Sequence, residues 1–367
     1  MKFTVLSQVL KDKISTAERF TGKNITLPVL SNILLSTSNK ELIITSTNLE
    51  IACTLYISGK IIKEGSCAVP ARTFSSFIQT FKNDEKVTIE DRNGTLFIET
   101  ESTKTKILTS PIKDFPLIPK IKKERNIRIK KDDLQKSISE VLPAVSLSQL
   151  KPEINGIYIS WDKKEKILTL AATDTFRLAE KKIFLESEDS ADFSFILPFR
   201  SAQELSHFES DADVADIIYG ESQVRIAFLN DEMVTNTVNG LFPQYSGIIP
   251  KSFETRVEIK REYLIGAIKS TSFFTSKLQD VSFQVRAGEL EVHAENSEVG
   301  ETSSVVAATV KGNPMKIAFN FKYILDGLSA LSGDSISILM NSESSPVLLK
   351  SMDQSLYTYL LMPIQAL

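Results

Sequence analysis

The sequence predicts an α+β protein of three repeated domains, each with two helices packed on antiparallel sheet. Three observations predict it. Short alternating stretches run into helical patterns at three places, a second helical pattern follows each of them, and strand-like segments occupy the rest. The 367 residues suffice for two or three domains, and 42% apolar with 24% charged residues is ordinary for a folded chain.

The first helices are announced by KFTVLSQVLKDKI from Lys2, IRIKKDDLQKSI from Ile127 and VEIKREYLIGAI from Val257. Anchoring these on Val5, Ile129 and Ile259 places Leu10, Leu134 and Leu264 next, and then Ile14, Ile138 and Ile268. Such i, i+4 pairs mark one face of an amphipathic helix, which Ala17, Val141 and Val145 extend. The second helices lie in VPARTFSSFIQTF from Val69, LPFRSAQELSHF from Leu197 and FNFKYILDGLSAL from Phe319. Their apolar faces carry Phe74, Phe77, Ile78 and Phe81, then Ala202 and Leu205, then Ile324, Leu328 and Leu331.

Strands are predicted in ELIITST, KILTLAAT, ELEVHAE, VTIEDRNGTLFIET, DIIYGESQVRIAF and ISILMNSESSPVLLK, with hairpin turns at Asn93-Gly94 and Gly220-Glu221. Each repeat then holds about eight short strands. The charged stretches KIKKERN (120–126) and PKSFETR (250–256) read as linkers, giving domains at 1–122, 126–251 and 255–367.

At 100° per residue, Arg72, Arg200 and Lys322 precede Phe74, Ala202 and Ile324 by two positions and so point about 160° from the apolar face. They sit in the first helical turn, where a cation opposes the helix dipole. Lys11, Arg19, Lys136 and Lys269 join them on the outward sides of the first helices. Solvating charge is one reading. The other is a polyanion, held by phosphate contacts because no aromatics interleave for base stacking. The net charge of −3 predicts no general affinity for nucleic acid but leaves room for a local basic surface.

Other classes are poorly supported. No apolar run reaches the roughly 18 residues of a bilayer span, and the N-terminus turns polar too early for a signal peptide. Cys53 and Cys67 form no framework and read as small buried side chains of a cytosolic protein. Gly59-Lys60 is followed by Ile61, so it opens no P-loop. With only His207 and His293 there is no HExxH, and His293-Ala-Glu295 starts like a deaminase zinc motif but lacks paired cysteines. An enzyme using Asp174 and Arg177 would lack any cofactor motif. A repeat scaffold that never meets DNA would leave the basic column unexplained.

AATDTFRLA (171–179), NGLFPQYSGIIPK (239–251), LPVLSNILL (27–35), VPARTF (69–74) and the tail LLMPIQ (360–365) join the threefold repeat. Together they make the chain resemble, over its whole length, the bacterial DNA polymerase III beta subunit family of sliding clamps. That resemblance implies a non-catalytic DNA clamp fold, closed head to tail as a ring-shaped homodimer around duplex DNA without regard to sequence. It implies a cytoplasmic protein without cofactor, metal or membrane contact. A separate ATP-driven clamp loader would open the ring, and short peptides of the replicative polymerase and repair proteins would dock on it.

Residue by residue, the resemblance puts Lys11, Arg19, Lys23, Arg72, Lys136, Gln149, Arg200, Lys269 and Lys322 toward DNA. The dimer interface would use Ile107 and Leu108 of the 104–109 strand together with Phe273 and Phe274. The peptide pocket, between the second and third domains, would comprise Ile154, Thr173, Phe176, Arg177, Leu178, Pro243, Ile248, Asn320, Tyr323 and Pro346, with Leu360, Met362, Pro363 and Ile364 from the tail. Phe176, Gly247, Gln365 and one extra terminal residue depart from the family's pattern, and imply a somewhat different peptide preference.

Overall fold

The computed structural model describes residues 1–367 except 24, 25, 39, 40, 120, 122–124, 149, 187–190, 352, 354, 355 and 365–367. Six α-helices form among the described residues: α1 (Ser7–Arg19), α2 (Ala71–Ile78), α3 (Lys131–Val141), α4 (Phe199–Ser206), α5 (Arg261–Thr271) and α6 (Phe321–Ala330). A face that recurs every 3.6 residues is buried whole only by a helix. Accordingly Leu10, Leu134, Leu264, Ile14, Ile138 and Ile268 have no exposed surface. In the second helices Phe74, Ile78, Ala202, Leu205, Ile324 and Leu328 are likewise enclosed.

The alternating segments become strands, because period-2 patterns bury one side of a sheet. ELIITST is the strand Glu41–Thr47, and the 87–100 stretch is the hairpin Lys86–Arg92 and Thr95–Glu99. Its turn residues Asn93 and Gly94 both have positive φ, 49° and 80°, which an Asn-Gly pair tolerates. The later part of each expected linker is already strand, in Arg125–Lys130 and Thr255–Lys260.

Backbone contacts group the chain into two units, and these do not follow the three repeats. One is built on residues 1–135 and 203–237, the other on 136–186, 192–202 and 238–367. The reason is strand pairing between repeats. In the first unit, Asp231–Asn236 pairs with Ile51–Ser58, with Met233 opposite Cys53, inside an eight-stranded sheet. Asp231, only 5% exposed, ion-pairs Lys13 and accepts the Tyr56 N–H at 3.0 Å. A five-stranded sheet in the same unit ends on the strand Lys104–Leu108.

In the second unit, a nine-stranded sheet is joined by Arg177–Phe184 and Tyr357–Leu361, which bring Leu178 opposite Leu360. The segment Tyr357–Leu361 is therefore an interior strand, and Leu360 packs with Leu178 and Leu348 beneath Tyr245, Ile249, Phe253 and Leu339. A four-stranded sheet runs in the order Gly300–Ala307, Glu289–Asn296, Asp280–Arg286 and Met315–Asn320.

Both cysteines are buried, as expected, and burial pushes each thiol from 9.0 up to about 12. The folded thiols stay protonated while unfolded ones ionise above about pH 9. Their contribution is therefore intact below pH 9 and is lost between pH 9 and 12, at about 1.4 kcal/mol per pH unit for each thiol. Tyr245, Tyr357 and Tyr359, also shifted upward by burial, act in the same direction. The urea midpoint is expected to fall steadily from pH 9 to pH 10.5, and less steeply in a Cys53→Ala/Cys67→Ala protein. Equal slopes would refute the thiol contribution.

Candidate functional site

In the second unit, Arg177 begins the strand Arg177–Phe184 beside the last strand and below α6. Its side chain is 10% exposed, and Nε donates to Asp174 Oδ2 at 2.9 Å. Its Nη1 donates to Asp326 Oδ2 at 2.5 Å and to the Tyr359 hydroxyl at 3.4 Å. The guanidinium carbon stands 4.2 Å from the centroid of the Tyr323 ring, a cation–π contact. Burial works against the charge, yet Tyr359, Asp326 and Asp174 outweigh it and hold the guanidinium firmly protonated.

Asp174 shapes the turn as well. Its Oδ1 accepts the N–H groups of Phe176 and Arg177, and Thr175 takes a positive φ of 78°. The turn lifts Phe176 clear of the sheet to 58% exposure, stacked 6.5 Å from Tyr323. The Met362 N–H donates to the Phe176 carbonyl at 2.8 Å, and Ile364 donates to Ala318 at 2.8 Å. The tail is thus tied to the Phe176 turn and to the strand leading into α6.

The structure brings together Thr173, Phe176, Arg177, Leu178, Tyr323, Leu360, Met362 and Ile364 through these contacts. Ile154, Thr173, Leu178 and Leu360 lie behind the surface, while Phe176, Pro243 and Ile248 are exposed and Met362, Pro363 and Ile364 partly so. Pro346 directly precedes Val347, whose partner is Leu361. Asn320 has a local task, since its Oδ1 caps α6 by accepting the Lys322 N–H at 3.0 Å. Gly247 is exposed with open space around it, and Gln365 lies outside the described residues. Sequence reasoning missed Tyr359 and Asp326. The i, i+3 spacing of Tyr323 and Asp326 on α6 was the available signal, but their meeting with Arg177 is non-local.

The basic residues divide by unit. In the first, Arg72 is exposed at the second position of α2 and Lys23 is exposed. Arg19 is half-buried, with Nε on Glu204 Oε2 at 2.9 Å and Nη2 on the His207 carbonyl at 3.1 Å. Lys11 departs from expectation. It lies on the same stripe as Ser7, Leu10 and Ile14, is 8% exposed, and spends its ammonium on Phe81 O at 2.5 Å and Asn83 Oδ1 at 2.9 Å. A cation beside the carbonyls that follow a helix is favourable, so Lys11 is a structural tie between α1 and the end of α2 and not an outward charge.

In the second unit, Arg200 and Lys322 are exposed at the second positions of α4 and α6. Lys136 and Lys269 are exposed on α3 and α5. Gln149 lies outside the described residues.

The sheets formed by the described residues are all open, and two of their edge strands carry or adjoin the residues expected at the dimer interface. On the Lys104–Leu108 edge, Leu108 is 76% exposed while Ile107 turns inward. Near the Gly300–Ala307 edge, Phe273 is 79% exposed while Phe274 packs toward Gly300. Sequence reasoning missed this second edge strand, which shows little apolar alternation. Among the described residues no helix is long and apolar enough to cross a membrane.

Repeated helix-on-sheet units, a cation heading each second helix, and open edges on two different sheets define the class of three-domain DNA clamps. Profiles of the DNA polymerase III beta subunit match along the chain: the N-terminal domain at residues 1–119, the central domain at 128–244 and the C-terminal domain at 246–365. The chain belongs to the DNA polymerase III beta subunit family. It is 25% identical over 374 residues to the beta sliding clamp of Synechococcus elongatus, covering 100% of this chain and 99% of that one. It is 26% identical over 378 residues to the beta sliding clamp of Staphylococcus epidermidis, with the same coverage. The DNA polymerase III beta subunit of Thermotoga maritima has a similar crystal structure, with TM-score 0.93, 25% identity and 100% of both chains covered. A sliding clamp from Pseudomonas aeruginosa bound to griselimycin shares the fold, with TM-score 0.95, 24% identity and 100% of both chains covered.

Proposed function

We propose that this chain, a DNA sliding clamp by family, works as a non-catalytic ring of two copies joined head to tail around duplex DNA. Its three domains are taken as 1–122, 126–251 and 255–367. The observation that carries the reading is the exposed cation at the second position of α2, α4 and α6. Each stands at the positive end of its helix dipole, where a facing polyanion is stabilising. Phosphate contacts of this kind are weak and blind to sequence, so the ring slides and is retained by closure. The Lys104–Leu108 edge with Leu108, and the Gly300–Ala307 edge with Phe273, supply complementary strands for that closure, which removes two unpaired edges at once.

The patch formed by Phe176, Ile248, Met362, Pro363 and Ile364 is read as the docking surface for short peptides of the replicative polymerase and repair proteins. Methionine there adapts to several partners. A cytoplasmic setting and a separate ATP-driven loader follow from the same reading.

The test is retention. Purified protein is loaded with its matching loader onto nicked circular DNA and followed by gel filtration in salt high enough to screen phosphates. Retention on circles with release after linearisation is the expected result. Equal loss from both forms would refute the ring.

A further inference from the structure

We propose that His293, Glu295 and Glu301 form a binding site for a divalent transition-metal ion, with Zn²⁺ as the probe of choice. His293 and Glu295 stand two residues apart on the strand Glu289–Asn296, so both side chains leave the same face. Glu301, on the edge strand Gly300–Ala307, is the direct cross-strand partner of Glu295. One ligand atom from each of the three lies within 4.8 Å of the others. An i, i+2 pair on one strand and a third donor directly across from it is a three-point set that caps one side of an ion.

The surroundings favour a cation. Like charges directly opposite on neighbouring strands repel, yet among the described residues no side-chain hydrogen bond or ion pair engages the Glu295 or Glu301 carboxylate. By contrast Glu291, on the same face, is engaged by Ser303 and Arg286. His293 and Glu295 line a cleft together with Lys277, Lys316, Asp280 and Glu298, and neither lysine pairs with Glu295 or Glu301. His293 is one of only two histidines in the chain.

The donor set selects the metal. One imidazole and two carboxylates suit Zn²⁺, Mn²⁺ or Co²⁺, whereas Mg²⁺ prefers an all-oxygen shell that keeps several waters. Solvent completes the coordination. An ion here would join the edge strand to its neighbour and replace the Glu295–Glu301 repulsion.

Zn²⁺ is titrated into the full-length protein in competition with a chromogenic chelator. One saturable site per chain is expected, weakened at least tenfold by His293→Ala and by Glu301→Gln, and unchanged by His207→Ala or by a hundredfold excess of Mg²⁺. Visible absorption of the Co²⁺-loaded protein is expected to lose its ligand-field band in His293→Ala. Glu295 and Glu301 are exposed and His293 partly so, and the variants are expected to fold. Without metal, Glu301→Gln is expected to melt slightly higher than the parent, since it removes one of the facing charges. Added Zn²⁺ is expected to raise the parent's melting temperature and leave that of His293→Ala unchanged. Zn²⁺ affinity unaffected by His293→Ala, uptake that follows His207 instead, or absence of saturable binding would each overturn the assignment.

Discussion

Replacing Arg177 by alanine is expected to cost about 3–5 kcal/mol, the range for removing one partner from a buried ion pair. The guanidinium is 10% exposed and joins Asp174, Asp326, Tyr359 and the Tyr323 ring. Without it Asp174, itself 14% exposed, loses its ion-pair partner. Arg177→Lys is expected to recover only part of the loss, since an ammonium cannot serve both carboxylates and lie flat on a ring. Urea unfolding monitored by tyrosine fluorescence and circular dichroism checks the size of the effect. If the Phe176–Tyr323 patch receives peptides, the same change weakens docking at least about tenfold, because Tyr323 loses the group beneath it. Met362→Ala separates the two effects. Its side chain is partly exposed, so docking is expected to weaken while the unfolding midpoint barely moves. An Arg177→Ala protein as stable as its parent would show that the network carries little energy.

Gly327→Ala is expected to destabilise, against the usual rule. Glycine inside a helix ordinarily costs about 0.5–1 kcal/mol relative to alanine. On α6 the added Cβ would lie 2.4 Å from Tyr359 Cε1 and 2.5 Å from Cδ1. The ring has nowhere to go, because it is 1% exposed and its hydroxyl donates to the Tyr323 carbonyl at 2.8 Å. Overpacking of this kind costs about 1–3 kcal/mol, which exceeds the helix gain. Gly266, on α5, is exposed and has nothing within 4 Å of its would-be Cβ, so Gly266→Ala is expected to stabilise by about 0.5–1 kcal/mol. Opposite signs in paired urea melts are the expected outcome, and a gain in both proteins would sink the argument.

The helix-on-sheet repeats were legible in the sequence because they rest on local periodicity. Leu10 and Ile14 recur as Leu134 and Ile138 and as Leu264 and Ile268, and that spacing leaves a helix one face to bury. The cations heading α2, α4 and α6 were legible for the same reason, being placed by angle from an apolar face. Lys11 was misplaced because angle alone does not say how far a neighbouring helix reaches around. The end of α2 brings the Phe81 carbonyl within reach of Lys11, and a flexible ammonium turned inward to meet it.

What the sequence by itself determined is the class of each element and the chemistry available to it. What only the tertiary structure decided is which distant residues meet. Strand pairing joins Leu178 to Leu360 and Met233 to Cys53, so the sheets run from repeat to repeat and the contact units are not the repeats. The unpaired Gly300–Ala307 edge, the Arg177–Asp326–Tyr359 network and the convergence of His293, Glu295 and Glu301 follow from the same cause. Hydrogen-bond register fixes partners across the chain, and no periodicity along one segment encodes the register of another.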